Sequence, residues 1–336
     1  MAIITVIGSG AMGSAMSVPA RTNGHTVRLV GTMLDVDIIN HAKETGYHTG
    51  LKRTLPSGIE YFQLEELETA LTDVDLIISG VSSFGVKWFA SEIMPRLPKN
   101  IPVLSITKGM LNQSDGYMIS FPKYYEGLYP DMDFLAVGGP CTSYELVDLD
   151  NTCVGICGNN PVSLEFCKDL LATSYYHINL TTDIEGFEFA VALKNAYAMA
   201  VTLALGLSLK DGDVLHYNSQ AALFGQSVRE MRKLLIMFGY NGDNLEYGVG
   251  DLYVTVFGGR TRKIGTLLGM GHNLEYALNE LSGITLESVV IAERTSKAVL
   301  TFIDSGRAKK EDYPLLLHVY NIIANNAPVD IPWSEF

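Results

Sequence analysis

The stretch IITVIGSGAMG, residues 3–13, decides how the first half of this chain folds. Its apolar opening is typical of a strand that is covered on both faces of a parallel sheet. A Gly-x-Gly-x-x-Gly pattern follows the strand at once and opens a helix of small residues, which is the context that a dinucleotide fingerprint requires. Its first glycine permits a tight turn, the second lets a pyrophosphate approach the backbone, and the third allows close helix–strand packing. We therefore predict a cofactor-binding loop formed by Gly8, Ser9, Gly10, Ala11, Met12 and Gly13.

The next predicted strand, residues 25–30, bears on the choice of cofactor. Dinucleotide folds usually place an acidic residue after this strand for the adenosine ribose of NAD, or a basic residue for NADP. This chain has Gly31 and Thr32 there, which are neither. Asp35 and Asp37 follow, and could reach the ribose or simply begin a solvated helix. The sequence therefore predicts NAD or NADP, with a lean towards NAD.

Further apolar runs alternate with helical stretches through the first half. Residues 76–79, 103–106 and 135–137 are typical of strands, and residues 64–71 and 86–94 of helices. Alternation of this kind predicts an α/β domain of the Rossmann type with a parallel sheet. Ligands bind where such strands end, so Lys108, which follows the run 103–106, is a candidate functional residue.

After about residue 180 helical patterns dominate. The run FAVALKNAYAMAVTLALGL, residues 189–207, predicts a buried central helix, and a capping box at residues 182–185 would begin it. Lys194 interrupts the run, and an ammonium without a partner is too costly to bury. It is therefore either half of a structural ion pair or a functional group. We predict a dinucleotide-binding domain over residues 1–180 and an all-α substrate and catalytic domain over residues 181–336.

Two glycine-rich turns supply further candidates in the second half. Asp251 follows Gly248-Val249-Gly250 and precedes an apolar turn, which suggests a carboxylate in a partly buried place. The turn Gly258-Gly259-Arg260-Thr261 combines backbone amides, a guanidinium and a hydroxyl. This set suits a phosphate monoester because arginine binds phosphate oxygens in a bidentate manner. An exposed basic turn without a ligand is the alternative.

Composition limits the classes of partner. The chain has 336 residues, 47% of them hydrophobic and 18% charged, with a net charge of −13. That charge argues against a nucleic-acid surface. The longest uncharged apolar run, residues 195–209, is shorter than the ~20 residues that span a bilayer. The N-terminus lacks signal-peptide features, so we expect a cytoplasmic protein without a membrane span. We expect no metal site, and buried thiols at Cys153 and Cys157.

Several motifs in order extend this interpretation to nearly the whole chain. They are the glycine fingerprint at Gly8, Thr-Lys-Gly at Thr107, Gly-Pro-Cys-x-x-x-Glu at Gly139, Ala-Leu-Lys-Asn-Ala-Tyr-Ala at Ala192, Gly-Asp-Leu-x-x-Thr at Gly250 and Gly-Gly-Arg-x-x-Lys at Gly258. Together they resemble the soluble, two-domain NAD(P)-dependent glycerol-3-phosphate dehydrogenases. The lysine-asparagine helix and the glycine-aspartate-leucine turn are the most diagnostic of them.

The resemblance implies reversible hydride transfer between a nicotinamide and C2 of glycerol 3-phosphate, giving dihydroxyacetone phosphate. It implies a small phosphate ester as substrate and a homodimer as an expectation of the family. It also implies roles for individual residues. The catalytic group is Lys194, Lys108, Asp251, Asn195 and Thr255; substrate contacts add Gly139, Cys141, Gly259, Arg260 and Thr261; cofactor contacts add Lys108, Ser143, Arg260 and Glu287 to the glycine loop.

Chemical reasoning supports the role given to Lys194. Removing hydride from an alcohol carbon requires the hydroxyl proton to leave too, so a base must lie within hydrogen-bond reach. Burial favours the neutral form of a lysine, whereas a carboxylate such as that of Asp251 stabilises and orients the ammonium. We therefore expect a lysine acid/base tuned by its surroundings.

Two alternatives stay open at the level of sequence. One is a related dehydrogenase of the same architecture acting on another hydroxy acid or sugar phosphate, as ketopantoate reductase and 6-phosphogluconate-like enzymes do. The other is a non-catalytic dinucleotide sensor. The chain departs from the family pattern at Thr261, where asparagine is usual, and at Ser288, where glycine is common. Neither departure removes a group that the chemistry needs.

Overall fold

The computed structural model describes residues 1–113, 116–210, 212, 215–282 and 286–336. The chain divides into two compact units. The first comprises residues 1–108 and 120–184, and the second residues 109–119 and 185–336. The first unit is built on a β-sheet and the second is mainly helical, which confirms the predicted fold class.

The strands are short, as is usual for a sheet covered by helices. They are β1 (Ile3–Ile7), β2 (Thr26–Val30), β3 (Tyr47–His48), β4 (Arg53–Thr54), β5 (Ile59–Phe62), β6 (Leu76–Ser79), β7 (Val103–Ser105), β8 (Met110–Asn112), β9 (Met118–Ser120), β10 (Phe134–Gly138), β11 (Thr152–Gly158) and β12 (Tyr176–Thr181).

The helices are short in the first unit and long in the second. The α-helices are α1 (Ala11–Ala15), α2 (Ser17–Thr22), α3 (Val36–Thr45), α4 (Leu67–Ala70), α5 (Val86–Trp88), α6 (Phe121–Leu128), α7 (Ser143–Val147), α8 (Pro161–Leu171), α9 (Ile184–Lys210), α10 (Tyr217–Met237), α11 (Leu245–Phe257), α12 (Gly259–Gly269), α13 (Leu274–Glu280), α14 (Glu287–Asp304) and α15 (Pro314–Asn325). Short 3₁₀ segments lie at Leu64–Glu66, Ser83–Gly85, Met94–Arg96, Lys310–Asp312 and Trp333–Glu335, and a π-helical segment at Phe89–Ile93.

The main sheet has a Rossmann-type strand order. Within the described residues, eight strands lie in the order β12-β11-β10-β7-β6-β1-β2-β5. Neighbouring strands are parallel except at β10 and β11, so β11 and β12 run opposite to the rest. The chain moves outward from β1 to β2 and β5 on one side and from β6 onward on the other. The strand order thus reverses between β1 and β6, which is where such sheets bind ligands.

The strands at residues 76–79 and 135–137 are confirmed by β6 and β10. The prediction for the cysteines of β11 is half wrong: Cys157 is buried but Cys153 is exposed. Cys153 lies near the start of its strand and faces the edge strand β12, where the amide of exposed Asn179 donates to its sulfur at 3.7 Å. An apolar run in the sequence does not show which of its residues are covered by neighbouring elements and which are exposed.

Helix α9 is the centre of the second unit. It is apolar on all faces, which is typical of a helix surrounded by others. It is the one helix of the described residues that is long and apolar enough to cross a bilayer, and 89% of its most apolar window is buried by protein. Neighbouring backbones approach closely: a Cβ on Gly265 of α12 would lie 2.0 Å from Thr202 Oγ1, and one on Gly206 would lie 2.2 Å from the carbonyl of Thr266.

The second unit also takes in residues 109–119, which the sequence-based division at 180/181 assigns to the first domain. This segment forms most of the β8–β9 hairpin, and Met110 and Met118 are buried in the helical core. The guanidinium of Arg294 on α14 donates to the carbonyl of Met110 at 2.6 Å. Core contacts of this kind join residues far apart in the chain.

Candidate active site

The glycine loop of the first unit is shaped by three glycines that touch one another. Gly8 has φ +107°, a conformation that residues with a side chain rarely adopt. A Cβ on Gly8 would lie 2.8 Å from the backbone of Gly80, which follows β6, and one on Gly13 would lie 2.1 Å from the carbonyl of Gly8. The loop is therefore pressed against the end of β6 at the point where the strand order reverses.

Gly10 is the open part of this loop. A Cβ built on it meets no atom within 4 Å, and Gly10 is partly exposed whereas Gly8 and Ser9 are buried. Ala11 is exposed and begins α1. Open space before a glycine backbone is what the pyrophosphate of a dinucleotide needs to approach main-chain amides. The loop fits such a cofactor.

An open recess lies beside this loop, within the first unit. Its lining residues include Met12 of α1, Met16 just after α1, Lys108, Gly139 and Cys141, which follow β7 and β10, and Tyr176 at the start of the edge strand β12. The ammonium of Lys108 donates to the carbonyl of Gly139 at 3.1 Å, which holds the lysine at the strand end. Burial raises the pKa of Tyr176 well above its ordinary value, so its phenol stays protonated. Ser143 begins α7, two residues after Cys141.

The two aspartates that follow β2 have different surroundings. Asp37 is exposed in the first turn of α3. Asp35 turns inward, where its Oδ2 accepts hydrogen bonds from the amide and hydroxyl of Thr32 at 2.9 and 2.7 Å and from the amide of Ser9 at 3.2 Å. Asp35 directly precedes the first residue of α3, so it stands at the helix start that the sequence allows, but it is partly buried and its carboxylate binds the glycine loop.

In the second unit, Lys194 is paired with two groups of one helix. Its Nζ donates to Asp251 Oδ1 and to Thr255 Oγ1, both at 2.9 Å. Asp251 and Thr255 are four residues apart on α11 and so share one face of it. The side chains of Lys194 and Asp251 are 12% and 2% exposed. The carboxylate that the sequence assigns to orient this ammonium lies in contact with it.

Close helix packing makes that contact possible. A Cβ on Gly248 would lie 2.3 Å from the carbonyl of Ala190, so α11 and α9 meet backbone to backbone at this level. Asp251 lies one turn after Gly248 on α11, and Lys194 lies one turn after Ala190 on α9. Each therefore shares the face of its helix with that small residue. The first glycine of the Gly-Val-Gly-Asp sequence therefore sets the distance between the ammonium and the carboxylate. Asn195 is buried beside Lys194 on α9.

The Gly-Gly-Arg turn forms the start of α12. Gly259 has φ +79°, which explains a glycine there. The Arg260 side chain is 51% exposed, with Nη2 at 3.9 Å from Glu287 Oε2, an ion pair too long for a hydrogen bond. Thr261 is buried at the next position. The structure thus brings Arg260 near Glu287, two residues that the sequence predicts as cofactor contacts.

Sequence reasoning missed one residue that contacts the glycine loop. His48 is fully buried, and its Nε2 lies 2.8 Å from the carbonyl of Ser9. It follows Tyr47 in a turn-rich segment without a motif, so neither spacing nor periodicity could have indicated it.

Family models match both units. One described as NAD-dependent glycerol-3-phosphate dehydrogenase N-terminus matches residues 3–161, and one described as the C-terminus of the same enzyme matches residues 183–333. The NADP(+)-dependent glycerol-3-phosphate dehydrogenase of Archaeoglobus fulgidus is 32% identical over 283 residues, 83% of each chain. The glycerol-3-phosphate dehydrogenase [NAD(P)+] of Desulfotalea psychrophila is 28% identical over 95% of this chain and 92% of its own.

Solved structures show the same fold. The glycerol-3-phosphate dehydrogenase of Coxiella burnetii superposes with a TM-score of 0.82 at 20% identity, covering 99% of this chain and 97% of its own. That of Saccharomyces cerevisiae superposes with a TM-score of 0.80 at 20% identity, covering 97% and 96%.

Proposed function

Because this chain belongs to the NAD(P)-dependent glycerol-3-phosphate dehydrogenase family, whose members are oxidoreductases acting on a CH–OH group, we propose that Lys194 is its catalytic acid/base. The observation that supports the proposal is the buried contact of Lys194 with Asp251 and Thr255. A bound nicotinamide supplies or accepts the hydride at C2 of the substrate.

Lys194 moves the proton that accompanies this transfer. In reduction its ammonium polarises the ketone oxygen of dihydroxyacetone phosphate and then donates a proton from Nζ. In oxidation the neutral amine takes the proton of the C2 hydroxyl. Asp251 and Thr255 accept from Nζ and so fix where it lies. We include Asn195 in this group because it is the next residue of α9 and is buried with it.

The remaining assignments concern the residues that bind the phosphate and other groups of the substrate, and those that bind the cofactor. We assign the phosphate to Arg260, Thr261 and the backbone of Gly259, since an exposed guanidinium at a helix start with a glycine backbone is suited to an anion. Lys108, Gly139 and Cys141 would contact the substrate from the recess of the first unit. Lys108, Ser143, Arg260 and Glu287 would add cofactor contacts to those of the glycine loop.

The first measurement is oxidation of NADH and of NADPH by the purified protein with dihydroxyacetone phosphate. Turnover establishes the reaction in this chain, and the ratio of the two rates decides between the cofactors. Absence of turnover despite cofactor binding would mean a different substrate or a dinucleotide sensor. A cytoplasmic location and a homodimer stay predictions, which cell fractionation and sedimentation would test.

Lys194→Ala tests the acid/base directly. We expect turnover to fall by about 10²–10⁴-fold, the usual contribution of a positioned acid/base, with little change in the Kd of the cofactor. Lys210→Ala is the matched control, because Lys210 is exposed at the end of the same helix. Turnover of the Lys194 variant above roughly a tenth of wild type would exclude the role.

Arg260→Ala tests the phosphate assignment. We expect the KM for dihydroxyacetone phosphate to rise by about tenfold or more, because charge-assisted hydrogen bonds to the phosphate are lost. Reduction of unphosphorylated dihydroxyacetone should not change. Lys263→Ala, an exposed cation on the same helix, serves as control. An unchanged KM would remove Arg260 from the site.

A further inference from the structure

The peptide groups on both sides of Ser9 are held from outside the glycine loop. The Ser9 amide donates to Asp35 Oδ2 at 3.2 Å. Its carbonyl accepts from His48 Nε2 at 2.8 Å and from Ser14 Oγ at 3.2 Å. Ser9, Ser14 and His48 are fully buried, so water does not compete for these bonds.

The direction of the His48 bond follows from its other ring nitrogen. The amide of Leu51 donates to Nδ1 at 3.0 Å, so Nδ1 is an acceptor and the ring proton of the neutral imidazole is on Nε2. Nε2 therefore donates to the Ser9 carbonyl. The tight turn between β3 and β4 wraps the ring: a Cβ on Gly50 would lie 3.2 Å from His48 Cε1. The imidazole is held in one orientation and one tautomer.

This arrangement decides which amide of the loop faces a ligand. In a trans peptide the C=O and the following N–H point in opposite directions. Because His48 draws the Ser9 carbonyl inward, the N–H of Gly10 is turned the other way. Gly10 is the residue next to open space, since a Cβ built on it would meet no atom within 4 Å. The Ser9 amide, by contrast, is directed to Asp35 and withheld from a ligand.

We propose that His48 and Asp35 are positioning residues of the dinucleotide loop: they fix the two peptide planes of Ser9 so that the Gly10 amide meets the cofactor pyrophosphate. Asp35 then acts on the loop and does not select between NAD and NADP through the ribose. The inference rests on the proposed function of this loop as the dinucleotide site.

His48→Leu and His48→Gln test the imidazole. The Kd of NADH, NADPH and ADP-ribose would be measured by titration, together with the unfolding midpoint and with kcat at saturating cofactor. We expect His48→Leu to raise all three Kd values by about tenfold, since one hydrogen bond that orders the loop is lost, with kcat within about threefold of wild type. Glutamine offers an amide N–H in place of Nε2–H, so His48→Gln should restore most of the affinity.

His25→Leu is the matched control. His25 is a partly buried histidine of the same unit whose Nδ1 accepts from the amide of Ala2, at a distance from the loop in sequence and with no bond to it. It should lower the unfolding midpoint without a comparable change in Kd. A His48→Leu variant with a Kd within twofold of wild type, or one that weakens binding no more than His25→Leu does, would overturn the proposal.

Asp35→Ala separates positioning from cofactor choice. We expect the Kd values of NADH and NADPH to rise by similar factors, so that their ratio changes by less than about twofold. Were Asp35 a ribose ligand, NADH binding would weaken far more than NADPH binding, and this result would overturn its assignment. Failure of the wild-type protein to bind either dinucleotide would overturn the proposed function as well. If the wild-type protein binds the dinucleotides and the variants bind them with the same Kd, only this inference is overturned.

Discussion

Two buried carboxylates of the helical unit, Asp251 and Glu230, differ in the groups that they accept hydrogen bonds from. Both residues are buried. Asp251 accepts from the ammonium of Lys194 at 2.9 Å. Glu230 accepts from neutral donors between 2.8 and 3.0 Å, namely the amide of Gln226, the hydroxyl of Tyr197 and the backbone amides of Leu315 and Leu316.

Under the proposed function, the difference separates a catalytic-site carboxylate from a structural one. Glu230 binds the first amides of α15 and the phenol of Tyr197 on α9, so it joins three helices through groups that stay protonated. Asp251 instead holds the ammonium of Lys194, the group that we propose as acid/base. Lys194 and Tyr197 are three residues apart on α9, so one turn of a single helix serves both purposes. Burial alone does not distinguish the two carboxylates; the chemistry of their partners does.

Asp251→Ala should give the largest effect. It leaves the largely buried ammonium of Lys194 without its carboxylate, which costs about 3–5 kcal/mol in the free energy of unfolding. Turnover should also fall by about 100-fold or more, since the acid/base loses its orientation. Urea unfolding and NADH oxidation measure the two effects. Glu246→Ala, an exposed carboxylate of the same helix, is the control; near-normal turnover of the Asp251 variant would contradict its role.

Glu230→Gln should affect stability alone. The amide nitrogen of glutamine would face buried donors, and each buried group left unsatisfied costs about 1–3 kcal/mol. We expect kcat and KM within about twofold of wild type for the protein that remains folded, because Glu230 has no part in the proposed chemistry. Glu293→Gln, in an exposed ion pair with Lys297, provides the comparison. A selective loss of kcat would show that the two carboxylates are not distinct.

Tyr197→Phe should have a smaller effect. Burial raises the pKa of Tyr197, so its phenol stays a donor at all ordinary pH values. Losing this one bond should cost about 0.5–1.5 kcal/mol in the free energy of unfolding. The double variant with Glu230→Gln should lose less than the sum of the single variants, because the residues are in contact. If the losses in the free energy of unfolding are additive, the hydrogen bond between Tyr197 and Glu230 contributes nothing to stability.

The pH dependence of stability sharpens the comparison further. Burial raises the pKa of the Glu230 carboxyl above its ordinary value of 4.5, against the opposing effect of its hydrogen bonds. Between the unfolded and folded pKa values the native state therefore binds more protons. The contribution of the Glu230 carboxyl to the free energy of unfolding is highest at acidic pH, and it falls as the pH rises through the pKa of the folded state. The advantage of wild type over Glu230→Gln should accordingly shrink from about pH 4 towards neutrality; an advantage that grows would contradict it.

The fold was largely predictable because its signals are local. The glycine fingerprint requires a backbone that turns at Gly8, and a helix that is apolar on every face around Lys194 requires burial on all sides. The pairing of Lys194 with a carboxylate was also predictable, since a buried ammonium needs one. Not predictable was the pairing of β8 and β9, whose methionines Met110 and Met118 belong to the core of the helical unit, which otherwise begins at Phe189.

The sequence by itself determined the class of each half, the glycine loop and the residue types on which the proposed chemistry depends. These follow from short-range periodicity, from glycine positions and from the cost of burying charge. Only the tertiary structure decided which groups meet: that Gly248 brings Asp251 to Lys194, that Asp35 turns towards Ser9, and that His48 binds the same residue from a distant turn. Such contacts depend on how elements pack across long sequence separations, and no local pattern records that packing.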